Sequence, residues 1–127
     1  MTSWHRKLTL LAGLGLTVYA GLALAQPDQV AQGKAEFEEH CADCHRLSGE
    51  GLPPTFPALK GNAFVQGDPG PVIDTVLNGR KGQLASMPSW KGTLSTEEAA
   101  AVITYIRQAW GNQAGPVKPE QVAARLK

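Results

Sequence analysis

Two cysteines stand three residues apart at positions 41 and 44, and a histidine follows at once, in the segment CADCH. Cys41 and Cys44 are the only cysteines among the 127 residues. Thiols and imidazoles are side chains that bind metals or take part in redox and addition chemistry. The segment from Cys41 to His45 is therefore the part of the sequence best equipped for chemistry.

Three possible uses of this segment fit the sequence poorly. A disulfide between Cys41 and Cys44 would close so small a loop that it restrains the unfolded chain very little. A thioredoxin-like redox pair requires a sheet, and the sequence contains no convincing strand pattern. A zinc site needs four ligands, and beyond Cys41, Cys44 and His45 the chain after its N-terminal segment offers only His40 and carboxylates.

Covalent attachment of haem remains, and C-x-x-C-H is the typical pattern for it. Two thiols can add to two vinyl groups on one edge of a porphyrin. Helical geometry then directs the imidazole of the next residue at the iron. We therefore predict that Cys41 and Cys44 carry the haem and that His45 is an axial ligand.

A second axial ligand has to come from a distant part of the chain. Met87 is the only methionine after the N-terminal segment. A lone methionine in a loop next to proline usually fills a packing gap. His40, however, is too close to the attachment site to reach the opposite face of a porphyrin, and we expect it to be an exposed side chain. We predict that the thioether of Met87 is the second ligand.

The first 25 residues have the pattern of an export signal. Arg6 and Lys7 precede an uncharged run over residues 8–25, which ends in Ala-Leu-Ala, a typical cleavage pattern. An uncleaved anchor is the alternative, because the run reaches the lower limit for spanning a bilayer. In either case we expect the rest of the chain to be exported.

The charge of the chain argues against nucleic-acid binding. Twelve basic and eleven acidic side chains give a net charge of +1, and two of the basic ones lie in the N-terminal segment. Such a balance offers no strong attraction for a polyanion. The remaining chain has the size of one domain. We divide it into residues 26–111, which contain the site, and residues 112–127, a linker and a short C-terminal helix.

Apolar periodicity predicts helices joined by irregular loops. Helices are predicted at residues 28–43, 71–77, 96–110 and 119–127. Gly33 in the first would let another helix come close, and Ser95 with Glu98 has the pattern of a capping box for the third. Residues 49–61, GEGLPPTFPALKG, are too rich in proline and glycine for regular helix.

In this order the motifs resemble class I c-type cytochromes, and the small bacterial soluble monohaem members in particular. The resemblance is carried by CADCH, GEGLPPTFPALKG, VLNGRKG, MPSW and LSTEEAAAVITYIRQAWG, and it covers nearly all of residues 29–111. It implies an all-α cytochrome c fold. Three to five helices would pack around one covalently bound haem c, with a C-terminal extension.

The resemblance also implies roles for individual residues. The thioethers would form at Cys41 and Cys44, and the axial ligands would be His45 and Met87. The carbonyl of Pro53 would accept a hydrogen bond from the second ring nitrogen of His45 and so orient the ring. Trp90 would either donate a hydrogen bond to a haem propionate or fill the distal wall.

The function implied by the resemblance is one-electron transfer in an exported respiratory chain. The chain would be a monomeric, periplasmic carrier rather than an enzyme, would dock transiently with redox proteins, and would donate to a terminal oxidase. It would associate with a membrane if the N-terminal segment is not cleaved. The alternatives are a haem-bearing subunit of a dehydrogenase or oxidase complex and, further from the pattern, a haem enzyme or gas sensor.

Overall fold

The computed structural model describes residues 27–126, and these are mostly helical. The helices are α1 (Pro27–His40), α2 (Ala42–His45), α3 (Ala63–Gln66), α4 (Pro69–Asn78), α5 (Thr96–Gln108) and α6 (Pro119–Ala123), with a 3-10 turn at Ala109–Gly111. Within this range the strands are β1 (Arg80–Lys81) and β2 (Ser86–Met87), which pair antiparallel. The all-α prediction is confirmed. Within residues 27–126 there are six helices rather than three to five, because several are single turns.

The sequence signals place the longer helices well. Ser95 and Glu98 cap each other's backbone at the start of α5, as predicted. Helix α4 begins two residues earlier than predicted, because Asp68 accepts a hydrogen bond from the Gly70 amide at 2.9 Å and caps it. The predicted first helix is interrupted at Cys41, so α1 and α2 are separate.

The predicted export signal lies outside the described residues. Within residues 27–126, no helix combines the length and the apolar character that crossing a membrane requires.

Helices α1 and α5 cross at Gly33. A Cβ atom at that position would lie 2.0 Å from the carbonyl oxygen of Ala101, so the two backbones touch where the side chain is missing. One turn further on, Phe37 is fully buried, and its ring lies 5.5 Å from that of Tyr105 and 5.1 Å from that of Trp110. This crossing fixes the end of α1 that leads into the CADCH segment.

The C-terminal residues pack on the outer face of α5. Val117 and Val122 have no exposed surface, and Thr104 of α5 exchanges hydrogen bonds with the backbone of Val117 at 2.9 and 3.2 Å. Gln29 of α1 donates to the Val117 carbonyl at 2.8 Å. The extension is therefore part of the domain and not a free tail.

Arg107 is a buried cation that joins three segments. Its guanidinium donates to the carbonyls of Val65 at 2.7 Å, Gly67 at 2.9 Å and Gly115 at 2.9 Å. Only 4% of the residue is exposed, and this burial lowers the pKa of its guanidinium. The three carbonyls satisfy a charge that would otherwise be costly to bury.

Substituting Gly33→Ala should destabilise the folded protein by about 3 kcal/mol, because the added methyl group forces α1 and α5 apart. Gly115→Ala is the matched control, since a Cβ there meets nothing within 4 Å. Urea unfolding of the two haem-loaded variants measures the difference. Equal midpoints would contradict the close helix crossing.

Substituting Arg107→Met should cost about 2 kcal/mol, because carbonyls that accepted charged hydrogen bonds lose their donor. Arg125→Met provides the comparison, as Arg125 makes a bidentate but exposed pair with Asp74 at 2.7 and 2.6 Å. Exposed pairs contribute little, so the control should unfold close to wild type. A larger loss at Arg125 than at Arg107 in thermal unfolding would refute this.

Candidate functional site

The CADCH segment forms a tight helical turn after α1. The Cys41 amide donates to the Phe37 carbonyl at 2.9 Å, and the His45 amide donates to the Cys41 carbonyl at 2.9 Å. Both cysteines are free and partly buried, and His45 is buried. Cys41, Cys44 and His45 all line the same cavity. The turn therefore presents two thiols and one imidazole to one space.

One ring nitrogen of His45 is held by the loop that follows. Its Nδ1 lies 3.0 Å from the carbonyl oxygen of Pro57. The expectation that Pro53 would provide this carbonyl is therefore wrong. With Nδ1 in this hydrogen bond, Nε2 is the nitrogen left to bind a metal.

The path of the loop explains why Pro57 replaces Pro53. The Gly51 amide donates to the His45 carbonyl at 2.9 Å, and Leu52 and Phe56 then pair as the chain turns back. Pro53 lies at the exposed tip of this turn, and Pro57 lies on its returning side. Gly51 has φ +61°, and a Cβ there would lie 2.5 Å from the Phe56 carbonyl oxygen, so the turn requires glycine.

The cavity has a volume of about 520 Å³, which lies within the usual range for a cofactor or ligand site. Its walls come from almost every element. The apolar lining residues include Phe37, Phe56, Leu59, Phe64, Val65, Val72, Val76, Leu94, Val102 and Ile106. No Asp or Glu belongs to the lining that the structure describes. The space suits a large and mainly apolar group.

Met87 lines the same cavity, although it comes from the β1–β2 hairpin, far from His45 in sequence. Gly79, with φ +73°, lets the hairpin approach α4, because a Cβ there would meet the Met87 carbonyl oxygen at 2.5 Å. Ser89 donates to the Leu77 carbonyl at 2.6 Å, and the Trp90 amide donates to the Val76 carbonyl at 3.1 Å. These bonds fix the residues that follow Met87 to helix α4.

The environment of Cys41 disfavours a thiolate. Burial, and to a lesser degree the proximity of Cys44 and Glu36, raises the pKa of the Cys41 thiol to about 12. A neutral thiol is a poor redox nucleophile. In addition, residues 27–126 contain no group of three or more His, Cys, Asp or Glu side chains placed to hold a metal ion. The raised pKa of Cys41 disfavours thioredoxin-like chemistry at this thiol.

His40 and Trp90 form one corner of the cavity. Their rings are 5.1 Å apart, and both line the cavity wall. His40 was expected to be exposed, but only 22% of its side chain is, and its Nε2 lies 3.5 Å from a Glu36 carboxylate oxygen. Contact with Trp90, which the sequence does not reveal, accounts for this difference.

Two further residues of the cavity carry little signal in the sequence. Arg80 and Phe64 line it, and the Arg80 guanidinium lies 5.5 Å from the centre of the Phe64 ring. The only local signal was that Arg80 directly follows the Asn-Gly turn after α4. Together, the thiols, the imidazole, the thioether and the apolar walls fit a covalently attached porphyrin with two axial ligands.

Comparison with known proteins identifies the family. Residues 28–106 match the family model described as cytochrome C oxidase, cbb3-type, subunit III. Cytochrome c-552 of Thermus thermophilus is 36% identical over 117 residues, which cover 84% of this chain and 74% of that protein. Cytochrome c6 of Chlorolobion braunii is 33% identical over 85 residues, covering 66% of this chain and 96% of that protein.

Other relatives are much longer or match only in fold. The cytochrome c subunit of alcohol dehydrogenase (quinone) from Gluconacetobacter polyoxogenes is 31% identical over 65% of this chain, and the match spans only 19% of that subunit. The solved c-type cytochrome XoxG of Methylobacterium extorquens AM1 superimposes with a TM-score of 0.53 at 19% identity. This match covers 76% of the present chain and 63% of XoxG. The chain thus belongs to the c-type cytochromes, in the domain family of cbb3-type cytochrome c oxidase subunit III, and its cofactor is haem c.

Proposed function

We propose that this chain is an exported one-electron carrier whose single haem is held by Cys41, Cys44, His45 and Met87. The observation that carries the proposal is that these four side chains, from two distant segments, line one apolar cavity. When bound, the haem supplies an iron that changes its oxidation state by one electron. The protein's contribution is to attach, orient and bury that group.

The surroundings of the site favour the reduced state. The Pro57 carbonyl fixes the ring of His45, so its ligand nitrogen is presented in one orientation. Side chains such as Phe56, Leu59 and Val76 exclude water and thereby disfavour the extra positive charge of oxidised iron. The soft thioether of Met87 acts in the same direction. We infer a high reduction potential, suited to a late step of a respiratory chain.

The ligand set also argues for a carrier and against an enzyme or gas sensor. If His45 and Met87 both hold the iron, oxygen or a substrate would find no free ligand position on it. We propose weak, transient docking of a monomer with redox proteins, taking electrons from an exported dehydrogenase or a similar donor and delivering them to a terminal oxidase. The location we infer is the periplasm, or the outer face of a membrane if residues 1–25 stay attached.

A second function, as a haem-bearing subunit of a larger complex, is favoured by one comparison. The cytochrome c subunit of alcohol dehydrogenase (quinone) contains a segment 31% identical to this chain. Gel filtration of the native protein in moderate salt separates the two proposals. A free carrier elutes as a small monomer, whereas a subunit elutes with its complex.

The first test of the proposal is the mass of the native protein. We expect the polypeptide mass to be increased by one porphyrin that acid-acetone extraction does not remove, because both thioethers are covalent. Substituting Cys44→Ala should leave at most one thioether and sharply lower the yield of haem-loaded protein. Colourless wild-type protein, or pigment lost to extraction, would overturn the assignment. The same mass spectrum shows whether residues 1–25 have been removed.

The second test concerns the axial methionine. Met87→Ala should keep its covalent haem but lose the far-red sulfur-to-iron absorption of the oxidised protein, and its potential should fall by on the order of 0.1 V or more. Leu84→Ala is the control, since Leu84 lines the cavity but is 68% exposed and carries no ligand atom. Redox titration of both variants gives the comparison. An unchanged potential in Met87→Ala would exclude Met87 as the ligand.

A further inference from the structure

Arg80 is a cation at the wall of an apolar cavity, and no described residue pairs with it as an anion. It lines the cavity, and the described lining contains no carboxylate. The ion pairs found within residues 27–126 use other cations, namely Lys34, His40, Lys60 and Arg125. Arg80 is therefore available to an anionic group that enters the cavity.

The hairpin register fixes where the Arg80 side chain emerges. In the β1–β2 ladder, Arg80 is paired directly with Met87, and Lys81 is paired with Ser86. Residues directly opposite each other in an antiparallel pair project on the same face, and neighbours along a strand project on opposite faces. Arg80 therefore shares its face with Met87. Lys81 lies on the other face and does not line the cavity.

Phe64 supports the guanidinium at this position. Its ring centre lies 5.5 Å from the Arg80 Cζ atom, within the range of a cation–π contact. Asn62 caps helix α3 by accepting a hydrogen bond from the Phe64 amide at 2.9 Å, which fixes the backbone that carries the ring. Arg80 is thus positioned from two sides, by the strand pairing and by the aromatic ring.

We propose that Arg80 binds a propionate carboxylate of the haem and raises the reduction potential by neutralising it. This inference rests on the proposed function, since it requires haem in the cavity. The cofactor carries two carboxylates on an otherwise apolar ring. A guanidinium matches a carboxylate through two parallel hydrogen bonds. Among the described residues that line the cavity, Arg80 is the one side chain that is an arginine or a lysine.

The test compares the midpoint potentials of purified, haem-loaded Arg80→Gln, Arg80→Lys and Lys81→Gln proteins, without any redox partner. Wild-type protein is first shown to carry covalent haem, so failure of the proposed function is detected separately. The fall in midpoint potential relative to wild type should be at least about three times as large in Arg80→Gln as in Lys81→Gln. Lys81→Gln removes the same charge one residue away, on the opposite face of the hairpin. In Arg80→Lys the fall in midpoint potential should be at most about half of the fall in Arg80→Gln, because the positive charge is kept.

The outcomes separate a cofactor contact from a docking contact. If Arg80 served only to dock a redox partner, the isolated Arg80→Gln protein would shift no more than Lys81→Gln, and the proposal would be overturned. Equal losses in Arg80→Lys and Arg80→Gln would also overturn it, because the charge would not be the cause. An experimental structure of the holoprotein decides independently of any variant. We expect guanidinium nitrogens within about 3.2 Å of a propionate oxygen, and clear separation of the two groups would refute the assignment.

Discussion

The centre of this domain is a cavity that the protein's own side chains do not fill, and the rest of the structure depends on that constraint. A chain of this size buries only a modest core of its own. Here the apolar side chains of α1, α4 and α5 face a space of about 520 Å³. A covalently attached group in that space becomes part of the hydrophobic core, so binding and folding are coupled. The proposed attachment through the sulfurs of Cys41 and Cys44 would make the coupling permanent.

Two packed units hold the segments that carry the proposed ligands on the cavity wall. On one side, the contact of α1 with α5 at Gly33 fixes the helix end from which Cys41, Cys44 and His45 emerge. On the other side, hydrogen bonds from Ser89 and Trp90 to α4 fix the chain next to Met87. Electron transfer benefits from such rigidity, since little atomic movement then accompanies a change of oxidation state. Arg107 and the C-terminal extension brace these units from outside the site.

The charge distribution around the cavity is uneven. The walls are mostly apolar, carboxylates are missing from the described lining, and a guanidinium lies on the same hairpin face as Met87. The apolar walls and the lack of carboxylates in the described lining make additional positive charge in the cavity less favourable. The guanidinium would compensate a negative charge at the edge of the haem. The potential of a haem protein is set by such terms as well as by its axial ligands. In this domain Met87, the proposed second ligand, and the nearby cation are placed by one short hairpin.

The sequence by itself determined the features that depend on short-range spacing. The proposed haem-binding turn follows from the separation of Cys41, Cys44 and His45, and the start of α5 follows from the capping box at Ser95. The identity of Met87 as the candidate second ligand followed from the scarcity of alternatives. The tertiary structure decided what depends on the chain folding back on itself. It placed Pro57 rather than Pro53 beside His45, packed His40 against Trp90 and turned Arg80 to the face of Met87. Those contacts join residues whose separation along the chain carries no periodic signal, so only the path of the loops could bring them together.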